Sequence, residues 1–256
     1  MYFVDDENFQ QVLDIHAGIT EGQFGLVPRD YDAQPLCSIP HTTPFCESFK
    51  LIDKKEWEDR AKAMQGRFIR NAYTGTPEED SQGRMPYCWA FSLSQAVKGA
   101  RDRANLPHVD LLAESLGGSV NWRNAGNYCS AAIQYAAEHG FCDRSFSPQR
   151  YNLNPRQWKE GWEQEALNHR VDEFWELGHI DMVKEVSTAL LLGFGVYVGL
   201  NWLRHAMWFD ELQFINGKLT IHTPNTWDVG QDMMLQGQKA RPDEAYAIRT
   251  ATWSNA

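Results

Sequence analysis

The sequence predicts an α+β protein, with helices over about its first two-thirds and antiparallel strands over its last third. Three observations carry this. Trp89, Leu93, Ala96, Val97 and Ala100 recur at three- and four-residue steps, the stripe of a helix that buries one face. From Phe194 onward the pattern turns to short alternating runs, β-branched or aromatic in part. Asn216-Gly217 then stands between two such runs, Ala206 to Ile215 and Lys218 to His222. That dipeptide favours a two-residue hairpin because both its positions accept positive φ. Helices and strands segregated along the chain define the α+β class.

The elements follow in order. Residues 1–48 carry Gly18, Gly22, Gly25, Pro28, Pro35, Pro40 and Pro44, spaced so as to break helix and sheet alike. They are expected to form an extended arm on the body, with one short helix from Phe9 to His16. Residues 53–66 are charged and helix-like, and Thr74 to Gly83 reads as a surface loop. The helix beginning at Trp89 ends at Asn105 and Pro107, which leaves Cys88 in its first turn. Further helices are expected over Asp110 to Leu116, over Tyr128 to Glu138 with Gly140 as a left-handed cap, over Gln157 to Leu177 as one helix or a pair, and over Met182 to Leu192. Strands are expected at Phe194 to Leu200, in the two arms of the hairpin, and at Glu244 to Thr252. No internal repeat or low-complexity tract interrupts them.

Composition narrows the function classes. A chain of 256 residues with 43% hydrophobic content can bury a substantial core. Ten tryptophans point to a core or cleft rich in aromatic area. A net charge of -10 argues against a nucleic-acid partner, which requires a basic face. No run reaches the roughly 18 apolar residues of a membrane span, since Gly193, Gly195 and Gly199 interrupt the most apolar stretch at 187–200. The N-terminal Met1 to Glu7 has no basic region and no apolar core, so a cytoplasmic location and reduced thiols are the expectation. Of the five cysteines, Cys37 with Cys46 and Cys129 with Cys142 are near enough in sequence to pair, and the odd count leaves one thiol over in any case.

The chemistry concentrates at Gln82, six residues ahead of Cys88-Trp89-Ala90-Phe91-Ser92. A cysteine nucleophile needs a stabilised thiolate, a base and donors for an oxyanion. The first turn of a helix offers free amides and a favourable dipole for the first of these. Farther on stand His205-Ala206, at the start of a strand, and Asn225-Thr226-Trp227 after the hairpin.

This order resembles the papain-like cysteine peptidases of the papain and cathepsin type. The resemblance covers about residues 55–252 and implies a two-lobed fold with a cleft between a helical lobe, about 49–180, and a β-rich lobe, about 181–256. It implies Cys88 as nucleophile, His205 as general acid and base, Asn225 as the residue orienting it, and Gln82 as oxyanion donor. Trp227 would shield the His205–Asn225 hydrogen bond. Trp89, Asn127 and Trp227 would line the substrate site, Asn127 through the turn Asn124-Ala125-Gly126-Asn127. Weaker parallels are Gly193 to Val198, Leu112-Ala113-Glu114-Ser115 and Ala245-Tyr246-Ala247-Ile248. The resemblance implies a protein or peptide substrate, no metal and no organic cofactor, and a monomer. Residues 1–48 would then be a structural arm or a short propeptide. Compact chains of this kind also occur among bacterial and phage-encoded members, where association with a virion is one possible location.

His222, three residues before Asn225, is the nearest rival base, but it precedes the asparagine too closely to face it across a sheet. His108, His139 and His169 fall in the helical part. The chain also departs from the family. Met85 replaces a cysteine that family members carry three residues before the nucleophile, and Pro86-Tyr87 replaces a Gly-Ser pair. His205 follows Cys88 at less than the roughly 130–150 residues usual in papain-type enzymes. Asp228, Gln231 and Asp232 stand where a second tryptophan motif is usual. The same Cys-His-Asn set could instead cleave amides in peptidoglycan or transfer acyl groups between amines, and a non-catalytic binding protein on this fold is a third reading.

Overall fold

The computed structural model describes residues 1–17, 24–147, 149–227 and 232–250. Its helices are α1 (Phe9–Ala17), α2 (Phe45–Ser48), α3 (Trp57–Met64), α4 (Ile69–Ala72), α5 (Pro77–Asp80), α6 (Cys88–Arg103), α7 (Cys129–Glu138), α8 (Trp162–Ala166) and α9 (Met182–Leu191). Helix α6 is the pivot. Every residue from Cys88 to Arg101 is buried. Its apolar stripe faces α7 and the sheet, and Ser92 and Lys98, polar residues that burial would penalise, are paired. Ser92 Oγ donates to the Ala206 carbonyl at 2.7 Å, and Lys98 Nζ meets Asp80 at 2.5 Å.

The strands are β1 (Tyr2–Val4), β2 (Thr43–Pro44), β3 (Leu111–Leu112), β4 (Cys142–Asp143), β5 (Glu173–Glu176), β6 (Gly195–Leu200), β7 (His205–Phe209), β8 (Glu211–Ile215), β9 (Lys218–Thr223), β10 (Met233–Gln236) and β11 (Glu244–Thr250). They form a five-stranded sheet in the order β2-β5-β11-β6-β7, a four-stranded sheet in the order β1-β10-β9-β8, and the small pair β3-β4. Strands β6 and β7 of the five-stranded sheet are buried on both faces, and the two-residue period sorts side chains between two cores. Tyr197, Ala206, Trp208, Tyr246 and Ile248 join the core around α6 and α7. Val196, Val198, Met207, Phe209, Ala245 and Ala247 join the other, with Val186 and Leu190 of α9. Phe45, Trp57 and Phe68, which precede α6 in sequence, pack in that second core as well. No described helix is long and apolar enough to cross a membrane.

The α+β architecture is as predicted, and several elements differ locally. Asn216 and Gly217 have φ of 52° and 72°, the mirror-image turn their sequence favours, and they join β8 to β9 with Ile215 opposite Lys218. The run Ala206 to Ile215 is two strands, divided at Asp210, whose carboxylate meets His222 Nδ1 at 2.6 Å. The helix expected over Gln157 to Leu177 shrinks to α8, followed by β5. Charged residues there favour helix, but Phe174 to Glu176 pair with β11 and β2, and tertiary pairing outweighs propensity. Asp110 to Leu116 is β3 followed by a 3₁₀ helix from Ala113 to Val120. The N-terminal arm holds β1, β2 and α2 besides the expected helix, and β1 runs parallel to β10. Gly18, Gly22 and the end of the expected last strand, residues 251 and 252, lie outside the described residues, as do Asp228 and Gln231. All five cysteines are free thiols, so neither Cys37–Cys46 nor Cys129–Cys142 is paired.

Candidate active site

Cys88 opens α6, and Tyr87 ahead of it carries no side-chain cap. The amides of the first turn are therefore free of helix partners, and those of Cys88 and Trp89 favour the thiolate form of the sulfur. Ala206, beside His205 on β7, adds its own N–H to the sulfur at 3.4 Å. The thiol thus sits where the helix N-terminus meets the first residues of β7.

His205 is fully buried. Its Nε2 lies 3.0 Å from Asn225 Oδ1. An amide oxygen only accepts, so Nε2 carries the proton in the neutral ring and Nδ1 is left as the basic nitrogen. Asn225 Oδ1 also accepts the Trp227 N–H at 3.1 Å, which fixes the asparagine side chain at the head of its loop. Trp227 lies over the imidazole with ring centroids 4.0 Å apart and is itself 1% exposed, so the His205–Asn225 bond is shut off from water.

Gln82 is held by the same loop. Its N–H donates to the Thr226 carbonyl at 2.8 Å, and Thr226 Oγ1 donates to Gln82 Oε1 at 2.5 Å. With the oxygen so engaged, the Gln82 Nε2 must face the other way, and it donates to Met85 O at 2.6 Å in the segment leading into α6. The sequence marked Thr226 only as part of a three-residue motif. Its hydroxyl, next to Asn225, is the signal that it could orient Gln82.

Trp89 and Asn127 are held through backbone groups near the thiol. Trp89 is fully buried, with Nε1 3.1 Å from the Pro86 carbonyl and 3.3 Å from that of Ala125. Asn127 turns its side chain to Ser119 Oγ and its own backbone to the N-terminal arm. There the Asn127 N–H donates to Gly25 O at 2.9 Å, and Val27 N–H donates to Asn127 O at 3.0 Å, which makes a parallel bridge between Leu26 and Asn127.

That arm covers the thiol. Gly25 lies against the sulfur, where a Cβ on it would stand 3.1 Å from Cys88 Sγ, and its backbone amide favours the thiolate. Phe24 packs edge-on against Trp227 with centroids 5.5 Å apart. A Cβ on Gly25 would stand 2.2 Å from the Pro86 carbonyl oxygen, so only glycine permits this approach. The sequence expects the helix N-terminus to lower the Cys88 pKa. In the covered site burial wins over the four backbone donors and pushes the thiol up to about 11.

Comparison with solved structures fits this geometry. Xylellain, a cysteine protease from Xylella fastidiosa, superposes with a TM-score of 0.59 at 14% identity, over 91% of this chain and 98% of that one. The digestive procathepsin L 3 of Tenebrio molitor larval midgut gives 0.57 at 14% identity, over 93% and 78%. A structure from work on the mite allergens Blo t 1 and Der p 1 gives 0.62 at 13%, over 94% and 90%. The chain has the papain-like fold. No protein-family model matches the sequence, and a search of curated proteins finds no significant match.

Proposed function

We propose that the protein is a cysteine peptidase of papain-like mechanism. The observation that carries the reading is the convergence of four groups: a thiol at a helix N-terminus, a neighbouring histidine, the asparagine bound to its far nitrogen, and a glutamine fixed by the asparagine's loop. In the reaction the Cys88 thiol proton passes to His205 Nδ1 and the sulfur attacks the peptide carbonyl. The oxyanion forms against the Gln82 side-chain amide and the Cys88 N–H. His205 then gives its proton to the leaving amine, and in the second half-reaction takes one from the water that releases the acyl group. Asn225 keeps the imidazole in the productive orientation throughout, and Trp227 keeps that hydrogen bond dry. The chemistry uses no metal and no organic cofactor.

The peptide substrate takes the place of Phe24 to Val27. Asn127 offers its backbone N–H and C=O to an extended chain, the usual way an exposed edge recognises a peptide. The arm satisfies both groups now, so residues 1–48 include a covering segment that must leave before substrate binds.

A peptide-library cleavage profile tests the reading, run in parallel with wild type and Cys88→Ala after the arm has been displaced. Cleavage by the wild type and none by the variant is the expected result. Equal cleavage by both would sink it. Added amine acceptor separates hydrolysis from acyl transfer, because a hydrolase yields only free acid.

A further inference from the structure

The N-terminal arm meets the body at a second place, away from Cys88. Cys37, with φ of 56°, donates its N–H to Glu176 Oε2 at the end of β5. Its sulfur lies 3.6 Å from Nε2 of His179. Among the described residues, one ligand atom each from Cys37, Glu176 and His179 falls within 4.8 Å of the other two.

Glu176 and the loop of His179 are each also held by residues outside the cluster. Glu176 is 1% exposed, and its Oε1 is bound by Arg29 Nη1. His179 belongs to a tight loop in which the amides of Gly178, Ile180 and Asp181 all donate to the buried Glu185 carboxylate, at 3.1, 2.8 and 3.3 Å. Cys37 and His179 are half-buried, so solvent reaches the cluster.

The donor set selects the ion. A thiolate, an imidazole and a carboxylate suit zinc, whereas calcium and magnesium take oxygen. Tetrahedral zinc bonds to sulfur and nitrogen set those two ligand atoms about 3.5 Å apart. The Cys37–His179 edge has that length before any ion is added.

We propose that Cys37, Glu176 and His179 bind a divalent cation of the zinc class, which fastens the N-terminal arm to the body. On binding, the Cys37 S–H bond breaks, its proton goes to solvent and a sulfur–metal bond forms. Thiolate, carboxylate and dication sum to zero charge, and Arg29 keeps Glu244, 3.5 Å from its Nη1, as a counter-ion. The site stands apart from the peptidase reading, and fastening the arm here also steadies the segment that covers Cys88.

The test uses the full chain with Cys88→Ala, so its outcome does not depend on the role of Cys88. Titration with cobalt(II) should saturate at one equivalent, with a thiolate-to-cobalt charge-transfer band that zinc abolishes. Cys37→Ser should remove the band, and Cys46→Ser should leave it unchanged. His179→Ala should weaken binding by more than about 100-fold, since even outer-shell changes cost about 10–100-fold. Calorimetry of zinc binding in two buffers should show about one proton released. Zinc should slow amide exchange over residues 29–44. Near-UV circular dichroism checks that each variant is folded. A band that survives Cys37→Ser, no saturable site, or exchange unchanged by zinc would overturn the proposal.

Discussion

Gly25 lies so close to Cys88 that a Cβ on it would stand 3.1 Å from the sulfur, and this approach both sets a backbone amide beside the thiol and closes it off. The amide counts as one more donor favouring thiolate, yet the residue that brings it also excludes water, and exclusion dominates. At pH 7 a thiol with a pKa of about 11 is ionised to about one part in ten thousand. On the proposed peptidase reading, the covered protein is a resting form by electrostatics as well as by obstruction.

Leu26→Asp should release this cover. Leu26 is 4% exposed, with its Cδ atoms beside Gly199, and an unpaired carboxylate there would be costly. Alkylation of Cys88, followed by peptide mass spectrometry across pH, should show a midpoint near about 11 in wild type. In the variant the midpoint should move down toward the ~8.5 of a free thiol or below, because the helix amides remain. An unchanged midpoint would show that the arm does not control the thiol.

The sequence exposed those parts of the site that local chemistry specifies. Cys88 at a helix start, the Asn216-Gly217 turn and the long α6 stripe each depend on neighbours within a few positions. An arm on the body, structural or a short propeptide, was expected, but its contact with the thiol was not legible, because Gly25 is an ordinary loop glycine until its distance from Pro86 is known. Strand β5 was hidden for a similar reason. Glu173, Trp175 and Glu176 look like a charged helix alone, and partners on the distant arm, Arg29 and the Cys37 N–H, are what allow Glu176 to be buried. The thiol's raised pKa follows from the cover and was missed with it.

Gln82→Ala should lower kcat by about 10²–10³ with little change in KM, as expected for a donor used mainly in the transition state. Thr226→Val is the sharper experiment. It leaves Gln82 in place and removes the 2.5 Å hydrogen bond that sets the direction of its amide. Loss of about 1–1.5 kcal/mol of orientation corresponds to about a tenfold fall in kcat. If Thr226→Val retains full kcat, Gln82 does not depend on that hydroxyl.

Asn225→Ala should lower kcat by about 10–100-fold, the equivalent of one hydrogen bond to a charged group, while His205→Ala should cost about 10²–10⁴-fold. The ordering matters more than either value. Asn225 touches His205 and the Trp227 backbone, so its effect must pass through the imidazole. The double variant should be no slower than His205→Ala alone. Additive losses, measured by steady-state kinetics on one peptide, would place Asn225 in some other role.

His222 sets a pH dependence of stability rather than of chemistry. Burial opposes its charge, but Asp210 at 2.6 Å and Asp232 at 3.1 Å outweigh that and raise its pKa to about 9. Arg70 lies 3.8 Å from Asp232 and is itself paired with Glu211, so it opposes the charge only weakly. A raised folded-state pKa means the stabilisation is full below about 6.5 and is lost as pH rises through about 9. Urea unfolding should show wild type losing up to about 3 kcal/mol across that window, and His222→Gln losing much less. Parallel slopes for the two proteins would contradict this.

Arg29 answers the same question at higher stakes. Its Nη1 reaches Glu176, Glu244 and the Tyr246 hydroxyl, while Nε and Nη2 bind the carbonyls of Gln34 and Pro35. Arg29→Met would leave two carboxylates buried without a cation, at a cost of ~3–5 kcal/mol. For a chain of this size that is a fall in Tm of about 10 °C. Adding Glu176→Gln to Arg29→Met removes one stranded charge, so the double variant should melt above the single one. A double variant that melts lower would mean that Glu176 stabilises the fold through Cys37 more than it is burdened by its charge. Calorimetric melting of the three proteins at one pH distinguishes the two outcomes.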